Sequence, residues 1–85
     1  MQLDFKPQAM EDLLWWIQTD RRMAAKIVKL VMECRGTPSG GTGKPEPLKH
    51  QFAGCWSRRI DQEHRLVYRV ENQALVILSC RFHYN

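Results

Sequence analysis

CWSRRIDQEHRLVYRVENQALVILSC, residues 55–80, contains three runs rich in β-branched and aromatic side chains, 55–60, 65–70 and 74–80. The residues between them, 61–63 and 71–73, are polar turn formers, so the segment predicts a three-stranded antiparallel meander. Side chains alternate across a pleated strand. In the middle run Leu66 and Tyr68 therefore share one face, while Arg65, Val67 and Arg69 share the other. The first face is expected to pack on apolar structure, and the second to stand open and carry guanidiniums.

What precedes the meander supplies the packing layer. Leu3 and Phe5 alternate with Gln2, Asp4 and Lys6, the period of a short strand with one buried face. Proline is tolerated in the first turn of a helix, and Pro7 opens an amphipathic helix over 7–18 whose apolar stripe is Met10, Leu13, Leu14 and Ile17. Thr19 or Asp20 caps a second helix. Its stripe, Met23, Ile27, Leu30, Val31 and Cys34, ends at Gly36 with Pro38 beyond. Residues 36–47 then hold four of the five glycines and three of the four prolines, which makes a loop and not a linker to a second domain. The order β-α-α-β-β-β predicts an α+β two-layer fold, an antiparallel sheet of four to five strands on an N-terminal helical hairpin, with residues 1–85 as one domain.

With 44% hydrophobic and 26% charged residues in 85, a disordered tail is excluded, and the core is thin enough that a partner would help to stabilise it. Thirteen Lys and Arg against nine Asp and Glu leave a net charge of +4, which favours polyanionic partners. No apolar run approaches the ~18 residues of a membrane span, and the first residues lack a basic-then-apolar leader, so a cytoplasmic protein is expected. Cys34, Cys55 and Cys80 are odd in number and widely spaced, without metal-ligand spacing around them. They read as small buried side chains, and neither disulfide, metal nor cofactor is called for.

Three places carry chemistry. Glu46 stands between Pro45 and Pro47, whose rings stiffen the backbone that a general base needs, and Lys44 and Lys49 flank it. Around the first hairpin turn, Arg58, Arg59 and Arg65 offer planar forks for phosphate, but Arg58 and Arg59 face opposite sides of their strand, so at most one joins Arg65 unless a bulge intervenes. The chain ends Arg81-Phe82-His83-Tyr84-Asn85, where an imidazole can move a proton near neutral pH and a tyrosine can stack on a base. His50 and His64 are assigned packing or surface roles, and Trp15, Trp16 and Trp56 fill core or interface. A glutamate, arginines, a histidine and a tyrosine without metal ligands are what metal-free cleavage of an RNA phosphodiester requires. A basic module that occupies RNA or the ribosome without cutting remains the rival reading.

The stretches GKPEPLKH (43–50), WSRRI (56–60), EHRLVY (63–68) and RFHY (81–84) resemble the YoeB toxins, a branch of the RelE superfamily of bacterial type II toxin-antitoxin modules, and the likeness runs over essentially the whole chain. The resemblance implies a ribosome-dependent mRNA interferase that cuts in the ribosomal A site and leaves a 2′,3′-cyclic phosphate. It makes Glu46 the general base, His83 the general acid, Arg65 the transition-state cation and Tyr84 the residue that orients the substrate. Lys49, Arg59 and Glu63 would support the phosphate or the neighbouring groups. It further implies a RelE-like fold with the first strand beside the last, a YefM-like antitoxin as partner, operator DNA bound through that complex, and a capacity to form a homodimer. Phe82 stands where these toxins usually carry tyrosine, and Asn85 extends past the usual end.

Overall fold

Asp20 divides the two helices. Its backbone is extended, its N–H ends α1 (Pro7–Thr19) on the Trp16 carbonyl at 2.7 Å, and its carboxylate accepts from Met23 N at 3.2 Å to cap α2 (Arg21–Gly36). The computed structural model describes residues 1–82. Its strands are β1 (Gln2–Phe5), β2 (Glu46–Pro47), β3 (Trp56–Arg59), β4 (Arg65–Glu71) and β5 (Ala74–Ser79), and a 3₁₀ turn spans His50–Phe52. They form one sheet in the order β1-β5-β4-β3-β2. β2 to β5 pair antiparallel, as expected. β1 pairs with β5 in parallel, because β2 enters the sheet at the end where β1 leaves it and three antiparallel reversals then turn β5 into the direction of β1.

The helices cover one face. Ala24, Ile27, Leu30, Val31 and Cys34 of α2 pack with Leu66, Tyr68, Leu75 and Ile77, so the stripe expected of the second helix is the buried one, with Ala24 inside and Met23 half-buried. In α1 the expectation is corrected. Ala9, Asp12 and Trp16 face inward, whereas Met10, Leu14 and Ile17 are about half exposed. Asp12 turns inward because its carboxylate accepts the Cys80 N–H at 3.0 Å and the Gln8 amide at 2.9 Å, and Trp16 Nε1 donates to the Cys80 carbonyl at 2.8 Å. These bonds tie the end of β5 to the helix and fix its rotation. Leu3, expected to be buried, is exposed on a sheet edge.

The far face is not open along its length, as the alternation of β4 suggested. Leu48, Cys55 and Val67 form a second small core with Phe52 and Leu78 packed against it. The connection from β2 to β3 folds over the sheet there and is closed by Leu48 N–H donating to the Cys55 carbonyl at 2.9 Å. Guanidiniums are left to the ends of this face. All three cysteines are free and buried.

Candidate functional site

β2 exists because the loop before it is held down. Gly43, in the left-handed region, accepts the Arg59 N–H at 2.7 Å, and a Cβ there would crowd the β3 backbone. The chain then enters the edge of the sheet at Glu46, opposite Ser57, with Pro47 opposite Trp56. A proline is acceptable there because an edge strand has a side that needs no donor. The stiff segment noted in the sequence is thus a two-residue edge strand.

Register determines who shares its face. Glu46 pairs with Ser57, Ser57 with Val67, and Arg59 with Arg65. Residues directly opposite lie on one side of the sheet, and so do residues two apart on one strand. Glu46, Arg59 and Arg65 therefore share the face that the helices do not cover. Two strands across and two residues along, the Cα atoms of Glu46 and Arg65 stand about 12 Å apart, within reach of two long side chains converging on one phosphodiester. A concavity of about 390 Å³ is lined by Glu46, Pro47, Leu48, Lys49 and the 3₁₀ turn. Arg59 borders a second cavity of about 480 Å³ with Lys26, Lys29 and Lys44 and the acids Glu33 and Asp61.

Two guanidiniums of this face, those of Arg59 and Arg65, stand directly opposite each other on β3 and β4. Among the described residues neither Arg59 nor Arg65 forms an ion pair, and Arg65 Nη1 is buried without a hydrogen-bond partner. Farther along β4, Arg69 shows the contrast, its Nε bound to Glu71 at 2.6 Å. Like charges directly opposite are unfavourable, so an anion set between Arg59 and Arg65 relieves repulsion and completes the orphaned donor.

Arg58 goes the other way. It is fully buried on the helix side, where Nε donates to the Tyr68 hydroxyl at 3.1 Å and the two terminal nitrogens donate to the carbonyls of Thr42 and Thr37. Tyr68 donates to the Pro38 carbonyl at 2.5 Å, and burial pushes its hydroxyl up to about 12. Burial also raises the Cys34 thiol beside this network. Glu33 closes it, held below the ordinary carboxylate range by the Thr42 N–H. This cluster pins the glycine-rich loop that delivers Glu46.

At the hairpin after β3, Asp61 accepts from Glu63 N at 2.8 Å and His64 N at 2.7 Å. Partial burial by itself would raise its carboxyl, but these bonds and the neighbouring His64 and Lys26 outweigh it and hold the group below the ordinary value. Glu63 is exposed at the tip, its carboxylate 3.8 Å from His64 Nε2. Lys49 is exposed at the start of the 3₁₀ turn. His64 is buried, its ring edge-on to Trp16 at 4.8 Å, and its Nδ1 accepts the Phe82 N–H at 2.7 Å. The Phe82 carbonyl accepts the Arg65 N–H at 3.0 Å. His83, Tyr84 and Asn85 lie outside the described residues. The sequence reading lets one of Arg58 and Arg59 join Arg65 on a shared face, and the register makes it Arg59, with Glu46 on the same side. It left the fully buried Arg58 undistinguished from its neighbours, and the signal that could have found it was alternation with Arg59 opposite a helix-facing Leu66.

Comparison with known proteins agrees with this architecture. The family model for the YoeB-like toxin of the bacterial type II toxin-antitoxin system matches residues 5–84. Toxin YoeB of Escherichia coli K12 is 50% identical over 84 residues, 99% of this chain and 100% of the relative. The structure of a YoeB/ParE toxin from Agrobacterium tumefaciens superposes with a TM-score of 0.96 at 49% identity, covering 99% of this chain and 100% of that one. A YoeB-YefM complex and a YoeB dimer, both from Staphylococcus aureus, give TM-scores of 0.88 and 0.89 at 41% and 42% identity, each covering 99% of this chain and 98% of the other. These matches make the protein a small α+β toxin of a type II toxin-antitoxin system. Within that class, the chain belongs to the YoeB family.

Proposed function

We propose that the chain is an endoribonuclease that cleaves translated mRNA in the ribosomal A site by general acid-base chemistry, with residues 1–85 acting as one domain. The supporting observation is the register that sets Glu46, Arg59 and Arg65 on one face, with an Arg65 Nη1 that lacks a partner among the described residues. Glu46 removes the proton of the ribose 2′-hydroxyl, and the oxygen attacks the adjacent phosphorus. Negative charge grows on the equatorial phosphorane oxygens, where Arg65, supported by Arg59 and Lys49, offsets it. His83 donates its proton to the departing 5′-oxygen, leaving a 2′,3′-cyclic phosphate and a 5′-hydroxyl, while Tyr84 orients the scissile nucleotide. Glu63 supports the neighbouring groups, and no metal or cofactor takes part. A cationic face suits a partner of opposite charge. Because a relative of this fold is found in complex with YefM and another as a dimer, the chain is proposed to pair with a YefM-like antitoxin, to bind operator DNA through that complex, and to form a homodimer.

Primer extension on translated mRNA, with and without ribosomes, tests the reading. Wild-type protein is expected to cut only ribosome-bound message. Glu46→Gln and His83→Gln are each expected to lose about 10²- to 10⁴-fold in rate while still co-sedimenting with ribosomes. Chelation of divalent metal on preassembled complexes is expected to leave the cut intact. Full cleavage by both variants overturns the acid-base assignment. A wild-type protein that blocks translation without producing ends is a binding module instead.

A further inference from the structure

We infer that His64 is a positioning residue for the cleavage reaction, acting as a hydrogen-bond acceptor that clamps the chain at Phe82, immediately before the proposed acid. This rests on the nuclease reading above. Phe82 is held at both backbone groups: its N–H by His64 Nδ1 at 2.7 Å and its carbonyl by the Arg65 N–H at 3.0 Å. The residue that makes these bonds adopts φ of +64°, a left-handed conformation that a phenylalanine enters only when its surroundings require it. The two bonds supply that requirement, and they join the residue before His83 to the backbone of Arg65 itself. One short bridge therefore ties Phe82, the residue before the proposed acid in sequence, to the proposed cation.

The imidazole is built for accepting at Nδ1. Its ring is buried edge-on against Trp16, and its own backbone is locked, N–H to Asp61 and carbonyl to the amides of Ile60 at 3.0 Å and Asp61 at 3.4 Å. With Nδ1 accepting, the ring proton sits on Nε2, the atom that faces the Glu63 carboxylate at 3.8 Å. Arg81 steadies the same corner from outside, its guanidinium 3.6 Å from the Trp15 ring centroid and 4.4 Å from that of Phe82. Among the described residues, Glu63, Arg81 and Arg65 are charges beside the clamp, with Asp61 and Lys26 at the turn. Neither ring nitrogen of His64 is called on for proton transfer.

Two substitutions separate acceptor from bulk. His64→Phe keeps an aromatic ring against Trp16 and removes the acceptor, whereas His64→Asn offers an amide oxygen near the place of Nδ1. On programmed ribosomes, His64→Phe is expected to lose about 10²-fold in kcat with KM unchanged, the size expected when a reacting group is misplaced by about 1 Å. His64→Asn is expected to recover most of that rate. In ¹⁵N-labelled wild-type protein, a through-hydrogen-bond coupling between His64 Nδ1 and the Phe82 amide nitrogen is expected. Wild-type kcat in His64→Phe, equal losses in both variants, or absence of the coupling overturns the inference. Failure of wild-type protein to cleave, with the coupling present, overturns the nuclease reading instead.

Discussion

Arg58 and Arg59 are neighbours on β3, yet one is 0% exposed beneath the glycine-rich loop and the other lies exposed on the far face. Every arm of the Arg58 guanidinium is engaged: Tyr68 on Nε, Thr42 on one terminal nitrogen, Thr37 on the other, with the Glu33 carboxylate 3.9 Å away. Arg59 instead faces Arg65 across the ladder, and neither of them forms an ion pair among the described residues. A guanidinium whose donors are satisfied by its own chain can hold a fold but has nothing left for a ligand. One left with free donors opposite a like charge costs stability, and a bound phosphate repays it.

The sharpest way to break this comparison is at Arg65. Arg65→Met keeps the aliphatic stem and removes the fork, so cleavage is expected to fall about 10³-fold, the range seen when a transition-state donor is deleted. Relief of repulsion with Arg59 should leave thermal stability equal or slightly higher. Primer extension and a thermal melt on the same preparation check both halves. A variant that cuts normally removes the catalytic half of the contrast.

Arg58→Met is the mirror experiment. The buried Tyr68 hydroxyl and the part-buried carbonyls of Thr37 and Thr42 all lose their donor, and the expected loss is about 3 kcal/mol in urea unfolding, from an overall stability of only a few times that. Protein that remains folded at low temperature should retain ribosome binding, because Arg58 offers no surface to RNA. A stable Arg58→Met that fails to cleave would invert the assignment of the two arginines.

Much of the sheet was legible in the sequence because its signals are local. Alternation and turn residues gave the three strands within a residue or so, and Asp20 and Gly36 marked the helix boundaries. What was not legible depends on distant partners. Met10, Leu14 and Ile17 are as apolar as any core stripe, and only the bonds of Asp12 and Trp16 to Cys80, 68 and 64 residues away, reveal that α1 is turned the other way. The same is true of the far face, where Leu48 and Phe52 cover Val67 through a loop whose path no periodicity encodes. Among the candidate site residues, the opposition of Arg58 and Arg59 followed from alternation, whereas Glu46 joins the face of Arg59 and Arg65 through a two-residue edge strand within what reads as a loop. The role of His64 was hidden because it is defined by Phe82, 18 residues on.

The smallest expected effect refines the structural side. Tyr68 bridges Arg58 to the Pro38 carbonyl, and its hydroxyl is raised from the ordinary 10 to about 12, first because it is buried. A group whose folded value is raised favours the protonated fold, so its contribution is complete below pH 10 and lost as pH climbs from 10 towards 12. Wild-type protein should lose stability across that window, in part also through the raised thiols of Cys34 and Cys80. Tyr68→Phe should be about 1 kcal/mol less stable at neutral pH, having lost one acceptor for Arg58 and one donor to Pro38. Between pH 10 and 12 its decline should be shallower, leaving only the slope of the cysteines. Urea unfolding of both proteins at pH 7, 10 and 11.5 measures the difference. Parallel curves would mean that the Tyr68 hydroxyl is not enclosed with Arg58, and the buried network would lose its central member.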